Sequence, residues 1–175
     1  MCSCGDDIAE ALACRLGWDV ITRNDLFSRF PNIAKSSYDK NMLTESAKHY
    51  LKQSGEGITF LDSLKRELVA SVAKNPAILI GFGAQVICAD VPDALHIRVI
   101  ADRDIRLARA KKQFHVSDEE AARILDTADK RHRKFVTTVF GVDLSEQSLY
   151  HMTLNTSSLS AEECVASVLS LVKAR

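Results

Sequence analysis

Residues 77–81 read Ala-Ile-Leu-Ile-Gly, and Pro76 and Phe82 on either side extend the run without a polar side chain. A strand that is apolar at every position must be covered on both faces, which is the condition of a central strand in a parallel sheet. Three more short aliphatic or β-branched runs follow the same logic: Asp19–Ile21, Leu95–Ala101 and Tyr150–Asn155. The segments between them have helical period. Ile8, Leu12 and Leu16 recur every fourth residue, with Gly17 as a C-terminal stop. Phe60, Leu61, Leu64, Leu68 and Val72 form a second stripe that ends before Asn75-Pro76. Ser117…Glu120 and Ser160…Glu163 have capping-box spacing, and Tyr38–Gln53 reads as one further helix. Strands alternating with helices predict an α/β fold with a parallel sheet. Ligands of such sheets sit beyond the strand carboxyl ends, here residues Thr22–Asp25, Gly81–Gln85, Ala101–Arg106 and Asn155–Ser157.

Composition narrows the function classes. The chain has 175 residues, the length of one domain, with no repeat or linker to divide it. Lys+Arg and Asp+Glu both total 23, so no global charge directs it to nucleic acid or to an anionic membrane. No apolar run reaches the roughly 20 residues of a membrane span. The five Cys, at 2, 4, 14, 88 and 164, read as reduced thiols of a cytoplasmic protein, not as a disulfide framework. Cys2, Cys4 and Cys14 lack a fourth ligand at zinc spacing, and no metal site is expected. The five His are isolated, with His96 and His151 placed within strands, and Gly81-x-Gly83 is too short for a dinucleotide fingerprint.

Cys2-Ser-Cys-Gly-Asp-Asp-Ile8 runs straight into the first helix. A small-residue turn at a helix N-terminus can hold phosphate, because free backbone N–H groups and the positive end of the dipole converge there. The full G-x-x-x-x-G-K-[ST] loop is absent, and Asp6 and Asp7 oppose an incoming anion, so an ordinary capped helix is the competing account. Further along, Arg98–Lys134 carries 11 Lys/Arg against 7 Asp/Glu. Arg103, Arg106 and Arg109 make an inclined ridge on one helix. Asp102 and Asp129 are available as their ion-pair partners.

The stretch Ser3–Gly17 resembles the phosphate-loop-to-helix segment of the cytidylate-kinase-like family, a branch of the P-loop nucleoside monophosphate kinases. Ile78–Gln85, Leu95–Ala101, Asp129–Phe135, Phe140–Asp143 and Leu149–Thr156 are similar to the same family in the same order. The resemblance implies a single three-layer α/β/α domain over 1–175, with a mostly parallel sheet and a helical lid at about 103–142. It implies ATP and magnesium as cofactors and nucleotides as partners, with transfer of the ATP γ-phosphate to CMP or a similar monophosphate. By the same resemblance Ser3, Cys4, Gly5 and Asp6 hold phosphate, and Arg106, Arg131 and Arg133 are the catalytic contacts of the lid. Arg23, Asp25, Gly81 and Gly83 then line the acceptor.

The chain departs from the family pattern in four places. The phosphate loop is degenerate, with Cys2 and Cys4 where the family tends to have Gly. Thr22 stands where an acidic residue is usual, and Phe82 where Arg often meets the acceptor phosphate. The family's first central strand, which lies between those assigned to Ala77–Gly81 and Leu95–Ala101, precedes the point where this sequence begins. The expectation is therefore direct pairing of these two strands or a slot between them, which a second copy could fill. The alternative function is a catalytically inactive relative that senses nucleotide or binds another protein. Nucleic-acid binding through the Arg123–Lys134 face is not expected.

Overall fold

In the computed structural model, which describes residues 1–54 and 57–174, each of these apolar runs becomes a short strand. In chain order the elements are α1 (Gly5–Leu16), β1 (Asp19–Thr22), α2 (Leu26–Arg29), α3 (Ser37–Glu45), α4 (Phe60–Val72), β2 (Ala77–Ile80) and α5 (Ala84–Ile87). They continue with β3 (Ile97–Ile100), α6 (Arg103–Phe114), α7 (Asp118–Phe140), β4 (Met152–Asn155) and α8 (Ala161–Lys173). The strands are shorter than the sequence runs, and His96 and His151 fall just ahead of β3 and β4 rather than inside them. There the His96 N–H donates to His151 Nδ1 at 2.9 Å.

β1 pairs with β2 in parallel, Ile21 opposite Leu79, and β3 pairs with β4 in parallel, Val99 opposite Leu154. Among the described residues no ladder joins β2 to β3, so the strands form two parallel pairs. Both pairs contribute to one apolar cluster. Ile78, Ile97 and Val99 pack there with Ile8 and Leu12 of α1 and with Cys164, Val165 and Val168 of α8. Leu79 belongs to a second, larger cluster with Leu26, Leu43, Leu64, Leu68 and Phe135. Adjacent residues 78 and 79 thus bury in opposite directions, which is why this strand carries no polar side chain.

Helix ends follow local chemistry. Gly17 takes φ 67° and its N–H donates to Ala13, closing α1. Ser160 and Glu163 form both halves of a capping box on α8. At α7 only the Ser117 half forms, because the Glu120 carboxylate is drawn to Arg123 at 2.7 and 2.9 Å.

The single helix expected over Tyr38–Gln53 is broken at Ser46, whose backbone is extended, and resumes as a 3₁₀ turn over Ala47–Leu51. Asp39 and His49 are hydrogen-bonded at 3.1 Å. On an unbroken helix these positions would be about 15 Å apart along the axis. The break lets consecutive His49 and Tyr50 both enter the core, at 4% and 1% exposure.

α7 is about 35 Å long. Its first half packs Ala121 and Leu125 against Ala110 of α6, and its second half buries Phe135, Val136 and Val139 in the larger cluster. The α6–α7 hairpin therefore stands with one end rooted in the core. Among the described residues no helix is long and apolar enough to cross a membrane.

Candidate phosphate-binding turn and arginine ridge

The turn ahead of α1 is tied down by its carbonyl groups. Met1 O accepts from Arg106 Nε at 2.8 Å, and Cys2 O from an Arg109 guanidinium nitrogen at 3.4 Å. The Thr156 hydroxyl lies 3.1 Å from Ser3 O and 3.2 Å from Ile100 O, so its proton is shared between them. Arg109 closes the arrangement with bonds to Thr156 Oγ1 at 2.9 Å and to Thr156 O at 2.8 Å. The carboxyl ends of β3 and β4, the start of α1 and the ridge of α6 meet at this point.

Cys2 and Cys4 both adopt φ 58°, in the left-handed region that side chains disfavour and glycine enters freely. These are the two positions where the resemblance expects Gly, so the backbone keeps the glycine conformation without the glycine. The Ile8 N–H is the first of α1 to reach a backbone carbonyl, that of Cys4, at 3.1 Å. Among the described residues the peptide N–H groups of Ser3 to Asp7 meet no acceptor, as at any helix start. Burial pushes the Cys2 and Cys4 thiols up from their ordinary value, outweighing nearby Arg106 and Arg109, so both stay protonated at neutral pH.

The ridge is paired. Arg106, only 18% exposed, donates from Nη2 to both Asp129 carboxylate oxygens at 2.7 and 2.8 Å, and Arg103 makes a two-nitrogen fork on Asp126 at 2.6 and 3.1 Å. Of the three arginines expected in the lid, Arg106 alone touches the turn. Arg131 is exposed and lines a cleft of about 400 Å³ with Met1, Arg123, Ile124, Thr127 and Ala128. Arg133 is exposed on another face of α7, close enough to Asp143 to help hold that carboxyl below its ordinary value, after bonds from Ser145. Residues two apart on a helix are about 200° apart, so Arg131 and Arg133 cannot face one point in this arrangement.

Two further strand ends carry the expected acceptor residues. At the end of β1 the Asp25 carboxylate accepts from the Thr22 hydroxyl and N–H at 2.6 and 2.8 Å, capping the turn, and these bonds hold its pKa below the ordinary value. Arg23 lies 4.8 Å above the Phe135 ring centroid and donates to Leu43 O at 3.2 Å. Its charge is felt at the buried Tyr50 hydroxyl, where burial nonetheless dominates and raises the pKa. At the end of β2, Gly81, Phe82 and Gly83 are all left-handed, at φ 82°, 40° and 76°. Phe82 is buried to 2% exposure in the larger cluster, and a Cβ on Gly83 would overlap the Phe140 ring. Gly81 is open.

Among the described residues no three His, Cys, Asp or Glu side chains converge as a metal cage, and all five thiols are free. Thr156 and Arg109 are the site residues that sequence reasoning did not single out. The strand-end rule covered Thr156 and the ridge included Arg109, but nothing in the spacing shows that the two join.

The fold and this site define an α/β protein in which a helix N-terminus and an arginine-bearing helical hairpin meet at strand carboxyl ends. The family model described as the cytidylate kinase-like family matches residues 1–158, and the chain belongs to that family. It is 24% identical over 153 residues to a cytidylate kinase of Thermoplasma volcanium, covering 87% of this chain and 80% of that one. A cytidylate kinase of Sulfolobus acidocaldarius is 27% identical over 78 residues, 45% of this chain and 43% of the other. The crystal structure of an uncharacterized protein from Eubacterium ventriosum matches the fold with a TM-score of 0.80 at 13% identity, covering 99% of this chain and 94% of that one.

Proposed function

We propose that the protein is a nucleoside monophosphate kinase that moves the γ-phosphate of ATP to CMP or a similar monophosphate. The observation that carries this reading is the turn before α1: two left-handed residues, unclaimed peptide N–H groups and a dipole end, in a chain of this family. In this reading the N–H groups of Ser3, Cys4, Gly5 and Asp6 hold phosphate oxygens. Arg23 places the acceptor, with Asp25, Gly81 and Gly83 shaping the loops around it. Phosphoryl transfer asks the protein mainly for positioning and positive charge. By the family resemblance Arg106, Arg131 and Arg133 are the candidate sources of that charge, and the α6–α7 hairpin is the lid. Because Arg131 and Arg133 face apart on α7 and Arg106 is engaged by Asp129 and Met1 O, lid movement would have to release Arg106 and present Arg131 and Arg133 one at a time. Magnesium arrives on the nucleotide's own phosphates, since such ions need few protein ligands. The family's first strand would lie between β2 and β3, and a strand of a second copy is the partner this reading offers for those edges.

A second reading, a non-catalytic nucleotide sensor, is favoured by one specific observation. The Arg106 guanidinium is already committed to Asp129 and Met1 O, and Phe82 is buried where the family often has Arg. The two readings separate in a phosphoryl-transfer assay with MgATP and a panel of CMP, UMP, AMP and GMP. Saturable turnover with CMP, lost by about 100-fold or more in Arg131→Ala, supports the kinase. Nucleotide binding with no turnover supports the sensor, and wild-type turnover in Arg131→Ala removes that residue from the mechanism.

A further inference from the structure

We propose that Thr156 and Arg109 are positioning residues that preset the phosphate-binding turn by holding its carbonyl oxygens away from the bound anion. The inference rests on the reading of that turn as a phosphate site. In a trans peptide the C=O and the following N–H point in opposite directions, so fixing one fixes the other. Met1 O is held by Arg106, Cys2 O by Arg109 and Ser3 O by the Thr156 hydroxyl. Three successive peptide planes are thereby oriented, and the N–H groups of Cys2, Ser3 and Cys4 each point opposite to the side chain that holds the carbonyl of the same peptide.

The hub of this device is Thr156, at the carboxyl end of β4. Its side chain is 4% exposed, its hydroxyl accepts from Arg109, and its own N–H donates to Ile100 O at 2.9 Å. The residue is therefore fixed by both strands before it touches the turn. Arg109 spans Cys2 O, Thr156 O and Thr156 Oγ1, which commits both of its terminal guanidinium nitrogens to holding this corner together. Without this clasp the Cys2–Ser3 and Ser3–Cys4 peptides are free to rotate, and a rotated carbonyl would present partial negative charge to the phosphate. Preorganisation of this kind shows up as affinity for the anion without any new contact to it.

The test compares Thr156→Val, which keeps the shape and loses the hydroxyl, with Thr156→Ser, which restores it, and with Arg109→Met, which keeps the aliphatic stem. MgATP and CMP affinities are measured by calorimetry on the full chain, with thermal melting as the control for folding. The clasp predicts that Thr156→Val and Arg109→Met bind MgATP about tenfold or more weakly, a loss of about 1.4 kcal/mol. CMP affinity is unchanged, and Thr156→Ser stays within about twofold of wild type. A merely structural role would weaken both ligands together. Should Thr156→Val not fold, Arg109→Met and Thr156→Ser carry the comparison. Wild-type MgATP affinity in Arg109→Met, or in a folded Thr156→Val, overturns the clasp while leaving the turn as a phosphate site. A folded wild-type chain that binds neither MgATP nor inorganic triphosphate overturns the reading of the turn, and the clasp with it.

Discussion

Gly83→Ala offers a quantitative check on the packing around the β2 end. Gly83 has φ 76°, and a Cβ built on it overlaps the edge of the Phe140 ring, with Cζ at 2.7 Å. Two costs follow. An L-residue in the left-handed region loses roughly 1–2 kcal/mol. Displacing a packed aromatic costs roughly 1–3 kcal/mol more, since Phe140 is edge-on to the buried Phe135 with ring centroids 6.1 Å apart. Restricting the unfolded chain returns roughly 0.4–1 kcal/mol. The net is about 1–5 kcal/mol, which at this chain length lowers Tm by about 2–20 °C. Gly81→Ala is the internal control. Its φ of 82° carries the same backbone cost, but a Cβ there meets nothing within 4 Å, so about 1 kcal/mol is expected. Reversible urea unfolding of both variants reads the difference directly. A double-mutant cycle of Gly83→Ala with Phe140→Ala should then give a coupling of about 1–3 kcal/mol. Equal destabilisation by the two glycine substitutions, or zero coupling to Phe140, would refute the reasoning.

The other predictions concern the turn and its neighbours. Cys4→Gly removes a side chain from φ 58° at the cost of a looser unfolded chain, so Tm should rise by about 1–3 °C; a fall of that size would contradict the strain argument. Asp25 has its folded pKa depressed by the Thr22 bonds, so its contribution to stability is present above the ordinary value of 3.8 and is lost as pH falls through the lower folded value. Asp25→Asn should therefore lose stability less steeply than wild type below pH 3.8, measured by urea unfolding at stepped pH; parallel curves would dismiss the cap. Arg131→Ala should leave Tm within about 1–2 °C, because the side chain is exposed, so any loss of turnover reads as chemistry and not as unfolding.

The strands were legible because an all-apolar run has few places to go: Ala77–Ile80 is a parallel strand covered on both faces, although among the described residues it pairs with β1 alone and is not the central strand that the run suggests. The break at Ser46 was not legible. No Pro or Gly interrupts Tyr38–Gln53, and the contact that accompanies the break, Asp39 to His49, spans residues that periodicity cannot link. The missing half of the Ser117 cap has the same origin: a motif shows that Glu120 can reach the backbone, but not that Arg123 competes for it. At the site, the small-residue turn was visible in Cys2–Asp7, and the left-handed backbone at Cys2 and Cys4 matches the positions where the resemblance expects glycine. The sequence offered Asp129 as an ion-pair partner of the ridge, and Arg106 takes it, but the spacing could not show which arginine does what. Arg106 and Arg109 look alike at three-residue spacing, yet one is paired with Asp129 and the other is spent on Thr156 and the turn carbonyls. Likewise Arg131 and Arg133 share a motif but not a face. The bonds to the turn carbonyls join residues more than a hundred apart in sequence, as Arg106 and Met1 are.

The central claim is that the turn before α1 holds a triphosphate for transfer to a monophosphate. Calorimetric titration of the folded chain with MgATP, followed by CMP, tests it most directly. The account predicts saturable MgATP binding in the micromolar range, about −8 kcal/mol, with CMP binding as a separate event. No MgATP heat up to millimolar concentration, from a chain that melts cooperatively, would contradict it.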